Sequence, residues 1–218
     1  MNFAVVQSYI PAYTEAFLLT VKIGVLGIAL AFLIGVICAF AEFFKVPVAR
    51  VVVKIYVELF RNTPLLVQLF FIYYGLPAVG IQIPAQVCGC LGLGLLGGSY
   101  MAESVRSGLE AVPKIQTESA RALGMSSIQL FLYVILPQAF TISLPGIIAN
   151  VIFLLKETSV FSAISLLDLM FTAKDLIGLY YNTTESLFLL VVFYIIMLLP
   201  VSFIGYLIEK KSGLKMAA

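Results

Sequence analysis

Residues 16–41 read AFLLTVKIGVLGIALAFLIGVICAFA, an apolar run in which Lys22 is the single charge. A helix needs about 20 mostly apolar residues to cross the hydrocarbon core of a bilayer, so this stretch is long enough to span it even when tilted. It is too long for a signal-peptide core, and Met1 to Pro11 before it carry no Lys or Arg, so it reads as a retained anchor. Composition agrees along the whole chain. Of 218 residues 62% are hydrophobic and 11% charged, and the mean hydropathy is +1.10. A water-soluble domain of this length could not cover its surface with so few charges. The bilayer is the solvent of this all-α protein.

Further apolar runs near 52–75, 85–107, 136–156 and 186–208 bring the expected spans to five. The segments after the first, third and fifth hold Lys45, Arg50 and Lys54, then Arg106, Lys114 and Arg121, then Lys210, Lys211 and Lys215. The positive-inside rule therefore puts the N-terminus outside and the C-terminus in the cytoplasm. Between the fourth and fifth spans, Ser159 to Glu185 is too polar to cross and too apolar for a solvated loop, which predicts short helices in the outer interface.

Whole classes of chemistry are excluded. Without His or Trp there is no His-based triad or His metal ligand. Cys38, Cys88 and Cys90 lack the spacing of a zinc site or a disulfide framework and read as packing residues. No metal site and no catalytic group is expected; Ser99 near Glu103 is the one pair an enzyme reading could use, and it lacks a base. A net charge of +2, scattered along the chain, points to no nucleic acid.

Some spans are not plain anchors. Glu58 and Arg61 stand at i, i+3 and can pair on one helix face, with Pro64 then bending the span. Gly89, Gly92, Gly94, Gly97 and Gly98 strip bulk from the third span, which lets a neighbouring backbone approach closely. Pro137 and Pro145 break the fourth, as in helices that line a watery path. Polar groups at membrane depth are costly and face a cavity or a partner. Gln68 and Asn150 read as interhelical hydrogen bonds.

The loop from Ala111 to Pro137 is structured. Pro113 suits the first position of a short helix, Gly124 its C′ end, and Ser126 with Gln129 forms a capping box for a second helix. The result is a rigid elbow with small side chains, fit either for a partner's groove or for a plain interfacial connection. Its sequence resembles a known motif. Glu118-Ser-Ala-Arg-Ala-Leu-Gly124, nine residues, then Val134-Ile-Leu-Pro137 is similar to the EAA loop of bacterial ABC importer permeases, with Ser119 for Ala and Val134 for Ile. Val57 to Gln68, Tyr100 to Arg106, Glu110 to Lys114 and Leu154 to Ser159 are similar to the polar amino acid subfamily, which commonly has Gly where Asn62 stands and a Gly pair where Ser107 and Gly108 stand.

That resemblance implies a MetI-like five-helix core, residues 1–218 forming one permease domain with a coupling loop at about 111–137. It implies a second permease subunit, homo- or heterodimeric, two cytoplasmic ATPase subunits that bind ATP and Mg, an extracytoplasmic binding protein, and a bacterial cytoplasmic membrane. The chain itself has no G-x-x-x-x-G-K-[ST] loop to cradle ATP phosphates. The coupling residues it implies are Glu118, Ser119, Ala120, Arg121 and Gly124. For a polar amino acid of basic or glutamine type, the candidate contacts are Asn62, Thr63 and the broken backbone at Pro64 for its backbone groups. Glu157, with Tyr100 or Glu103, and Ser159 would meet its polar end. A secondary transporter is the rival class, disfavoured because the five spans show no paired halves.

Overall fold

The computed structural model describes residues 1–211; Lys215, one of the basic residues used to orient the chain, lies outside the described residues. The first helix, α1, runs Phe3–Phe43. Next come α2 (Pro47–Arg61) and α3 (Leu65–Phe70), the latter continuing through a π turn and a 3-10 turn to Val79. Helix α4 spans Ala85–Glu110, and α5 (Lys114–Ala122) and α6 (Ser127–Leu130) form the elbow. Through a π turn α6 enters α7 (Leu136–Glu157), which ends in a 3-10 turn at Thr158–Ile164. Helices α8 (Leu169–Tyr180) and α9 (Thr183–Lys211) close the chain.

Four stretches are long and apolar enough to cross a membrane: α1, α4, Ser127–Ile164 and α9. A fifth candidate among the described residues is a bent pair, α2 and the α3 segment, which are apolar enough only together and meet at 104°. The break is local chemistry. Pro64 cannot continue α2 and takes an extended backbone (ψ 143°) as the N-cap of α3.

Helix α4 is the centre of the bundle, packed against α1 on one side and α7 on another. Its glycines make this possible: a Cβ on Gly97 would lie 2.5 Å from Leu154 Cδ1 and 2.7 Å from Ala31 Cβ. Around it Ile23, Ala31, Leu93, Met101, Leu154 and Phe161 form one buried core. Outward, Leu18, Leu33 and Ile37 of α1 and Leu199 and Phe203 of α9 are more than half exposed, as a lipid-facing surface requires.

Two expectations need correction. Helix α1 begins at Phe3, not near 16, because its first turns dock on α9: the Tyr13 hydroxyl donates to the Ser186 carbonyl at 2.7 Å, and Asn182 Nδ2 donates to the Tyr9 hydroxyl at 2.9 Å. Pro113 is the N-cap of α5, not its first residue. Ser99, set aside as an enzyme candidate in the sequence, is fully buried and its hydroxyl donates to Leu96 O at 2.6 Å, a satisfied helix side chain. The short helices expected over 159–185 are present as the 3-10 turn and α8. There α8 is capped by Asp168, fully buried, whose carboxylate accepts from Phe171 N (3.0 Å) and Met170 N (3.3 Å).

Candidate functional site

Where α2 breaks, side chains gather on its last carbonyls, although Glu58 O keeps its helical donor, Asn62 N–H, at 3.3 Å. Asn62 Nδ2 donates to Glu58 O (2.7 Å) and to Glu58 Oε2 (3.0 Å), and Thr63 Oγ1 donates to Leu59 O at 2.8 Å. Gln68, buried on α3, donates to Phe60 O (3.1 Å) and Thr63 O (2.9 Å). It fastens the two halves of the broken span to each other and is not a bond between spans. Asn150 is such a bond: its Nδ2 donates to Ser104 Oγ of α4 at 2.9 Å. With Nδ2 committed, Asn62 Oδ1 accepts no hydrogen bond from the described residues, and the Thr63 hydroxyl keeps free lone pairs.

The expected Glu58–Arg61 pair does not form. Glu58 is taken by Asn62, while Arg61 reaches across to α4, with Nη1 3.8 Å from Glu103 Oε2 and its guanidinium over the Tyr100 ring at 5.3 Å. Tyr100 in turn packs on Phe153 of α7, ring centres 5.2 Å apart. Arg61 and Phe153 thus join the site though the sequence reading left them out. Tyr100 and Glu103, at i, i+3 on α4, could have signalled a shared partner for Arg61.

Around the break lies a cavity of about 340 Å³ to which Arg61, Asn62, Thr63, Pro64, Tyr100 and Glu157 all contribute. The structure therefore brings five of the seven expected contact residues together. Glu103 lies further along α4, lining a separate cleft. Ser159 is not among the lining residues; its neighbour Val160 is. Glu157 makes no ion pair with any described residue, leaving a carboxylate on the cavity wall without a cation.

Two more cavities extend the first. One of about 420 Å³ shares Arg61, Asn62 and Tyr100 with it and adds Val57 and Glu58. The next, about 380 Å³, shares Val57 and Glu58 and runs to Glu110 at the end of α4. A polar track thus follows the face between α2 and α4 for much of the bundle's length. Charges on such a face at membrane depth require water or a protein partner, since lipid solvates neither.

At the same end as Glu110 stands the elbow. Gly124 adopts the left-handed conformation (φ 79°), and Met125 N–H donates to Ala120 O (3.2 Å) while Gly124 N–H donates to Arg121 O (2.9 Å). This is a Schellman end, followed by the capping box of Ser126 and Gln129. Glu118, Ser119, Arg121 and Gly124 are exposed, but Ala120 is buried and packs the elbow onto Leu109, Val112 and Leu130. Leu123 (83% exposed) and Ile128 (72%) stand beside them, an apolar contribution the sequence reading missed.

Residues 31–213 match the model of a protein family described as the binding-protein-dependent transport system inner membrane component. The chain belongs to this family. It is an ABC-type permease with the MetI-like fold, a multi-pass inner-membrane transport component. The probable glutamine ABC transporter permease protein GlnP of Bacillus subtilis is 33% identical over 172 residues, 79% of each chain. The arginine transport system permease protein ArtQ of the same organism is 31% identical over 212 residues, 97% of each. A solved structure of an amino acid ABC transporter with histidines superposes with a TM-score of 0.90 at 33% identity, covering 97% of this chain and 99% of that one. The inward-facing MetNI methionine ABC transporter superposes at 0.76 with 20% identity, which shows a shared fold. Members of this permease family work with an ATPase and a substrate-binding protein.

Proposed function

We propose that this permease carries a polar amino acid of basic or glutamine type into the bacterial cytoplasm, with the N-terminus outside and the elbow inside. The observation that carries the reading is the linked set of cavities from Glu157 to Glu110, lined by charged groups that a lipid-facing helix would not retain. The likeness to glutamine and arginine permeases supports the substrate class.

In the cavity at the break, Asn62 Oδ1 and the Thr63 hydroxyl offer acceptors to the substrate ammonium, beside the broken backbone at Pro64. Arg61, steadied by Tyr100 through a cation–π contact, is the natural partner for its carboxylate. Glu157 meets the distal group, pairing with a guanidinium or ammonium or accepting from a side-chain amide; Glu103 acts through Arg61. Ser159 keeps a place next to Glu157 at the cavity's edge. The whole of residues 1–218 acts as one permease domain, beside a second permease subunit. Glu118, Ser119, Ala120, Arg121 and Gly124 seat the elbow of about 111–137 in the groove of an ATPase subunit. Two such subunits bind the ATP and Mg and drive the cycle, and a binding protein delivers substrate from outside.

ATP-driven uptake by the assembled transporter in proteoliposomes tests this, with L-arginine and L-glutamine as probes. A charge-assisted hydrogen bond contributes about 1.5–3 kcal/mol, so Glu157→Gln is expected to weaken arginine uptake about tenfold or more and to change glutamine uptake much less. Unchanged uptake of both, at unchanged thermal stability, removes Glu157 from the site. Uptake of neither by the wild type removes the substrate class.

A further inference from the structure

The cleft nearest the elbow is charged in an ordered way. On α2 the residues Arg50, Lys54, Glu58 and Arg61 follow at spacings of four, four and three, which puts them on one helix face. Across the cleft Arg106 of α4 is held by three carboxylates: Glu103, Glu110 (2.7 Å) and Glu42 of α1 (3.6 Å). Arg61, reaching over from α2, also pairs with Glu103 at 3.8 Å, so two cations meet three anions and that wall keeps one negative charge, on the side of Glu42 and Glu110. Arg50 and Lys54 on the facing wall have no carboxylate partner among the described residues. Were this a salt-bridge seam, the two walls would close on each other; instead about 380 Å³ separates them, within the roughly 300–1,000 Å³ of small-ligand clefts. Arg50 and Lys54 as ordinary interfacial cations would explain their exposure but not the anionic wall set opposite them.

A ligand that satisfies both walls carries a cation and an anion close together, with no demand on the rest of the molecule. We propose that this cleft is a second station for the transported amino acid, where the α-carboxylate meets Arg50 and Lys54 and the α-ammonium meets Glu42 and Glu110. It rests on the reading of the chain as an amino acid permease. The upper cavity discriminates side chains through Glu157; the lower one holds only the zwitterion common to all α-amino acids, on the way out to the cytoplasm. Val57 and Glu58, which line both the middle cavity and this cleft, connect the two.

The test uses the assembled transporter with Cys38, Cys88 and Cys90 replaced by Ala and Val57→Cys as reporter, a position inside the cleft that leaves every charge in place. In phosphatidylcholine nanodiscs, alkylation of that thiol by a polar maleimide is expected to slow roughly tenfold at ten times the Kd of L-arginine or L-glutamine. Agmatine, which lacks the carboxylate, and N-acetyl-L-glutamine, which lacks the ammonium, should protect little, and Lys54→Gln should abolish the protection. Protection by those analogues, protection that survives Lys54→Gln, or no protection while ATP-driven uptake in proteoliposomes is intact, overturns the second station and leaves the transport reading standing. Slower alkylation in phosphatidylethanolamine than in phosphatidylcholine, with no effect of free amino acid, gives the cleft to a lipid headgroup and also overturns it. Absence of uptake for both amino acids overturns the transport reading itself.

Discussion

Asp168 is the residue whose chemistry and packing most visibly oppose each other. As N-cap of α8 it accepts two backbone N–H bonds, which favour the carboxylate. Burial disfavours it more strongly, and the acid is pushed up to about 6 from the usual 3.8, the N–H bonds and Lys174 pulling it partly back. A carboxyl that binds its proton more tightly when folded favours the fold fully below pH 3.8, and that favour is lost as the pH rises through about 6. Above pH 6 the folded protein holds a buried charge at a cost on the order of 2–3 kcal/mol. Asp168→Asn keeps an acceptor for Phe171 and carries no charge. In detergent, the thermal midpoint of the wild type should fall between about pH 4 and 6 while that of Asp168→Asn stays level and exceeds it at pH 7.5. Asp168→Ala, which loses the cap, should be less stable than Asn at every pH by about 1 kcal/mol. Parallel profiles for wild type and Asn would show that the carboxyl does not titrate in this range.

Among elements, α4 decides how closely the bundle can close. At Gly97 a side chain would enter space already held by Leu154 and Ala31, on two different helices. Gly97→Val is therefore expected to cost about 1–3 kcal/mol, seen as a lowered thermal midpoint, since the Ala31 Cβ cannot move without its helix backbone even where the Leu154 methyl turns aside. Gly178, with no atom within 4 Å of its absent Cβ, should accept Ala at little cost. The same contrast explains what the sequence revealed about the elements. The spans were legible because lipid demands long apolar runs with internally paired backbones, and the elbow because Gly124, Ser126 and Gln129 act within a few residues of each other. The early start of α1 was not, because Tyr9 and Tyr13 are fixed by Asn182 and Ser186, far along the chain. Nor was Arg61's true partner: its local neighbour Glu58 looked sufficient until Asn62 occupied it and α4 brought Glu103 across. Asn62, Thr63, Tyr100 and Glu157 were found by being polar where polarity is costly. Phe153 and Leu96, apolar members of the same cavity, carry no such mark.

At the scale of the whole molecule, the chain presents two surfaces that lipid cannot satisfy: the charged face of α2, and the elbow with Leu123 and Ile128 beside Glu118 and Arg121. The elbow is already formed in the isolated chain. Its turn depends on Gly124 at φ 79°, a conformation that costs an L-residue roughly 1–2 kcal/mol, more for a β-branched one. Two substitutions separate shape from surface. Glu118→Lys reverses a charge on an exposed helix face and should leave the thermal midpoint of the isolated chain unchanged; Gly124→Val strains the turn and should lower it slightly. Both are expected to reduce co-purification of a co-expressed partner ATPase subunit at equal expression in detergent, Glu118→Lys by a salt-sensitive loss and Gly124→Val by one that salt does not alter, because only the first removes a charge contact. If the ATPase remained bound to both variants in full yield, the elbow would be a connection between spans, and another surface would have to transmit the work of ATP hydrolysis to α4 and the cavities beside it.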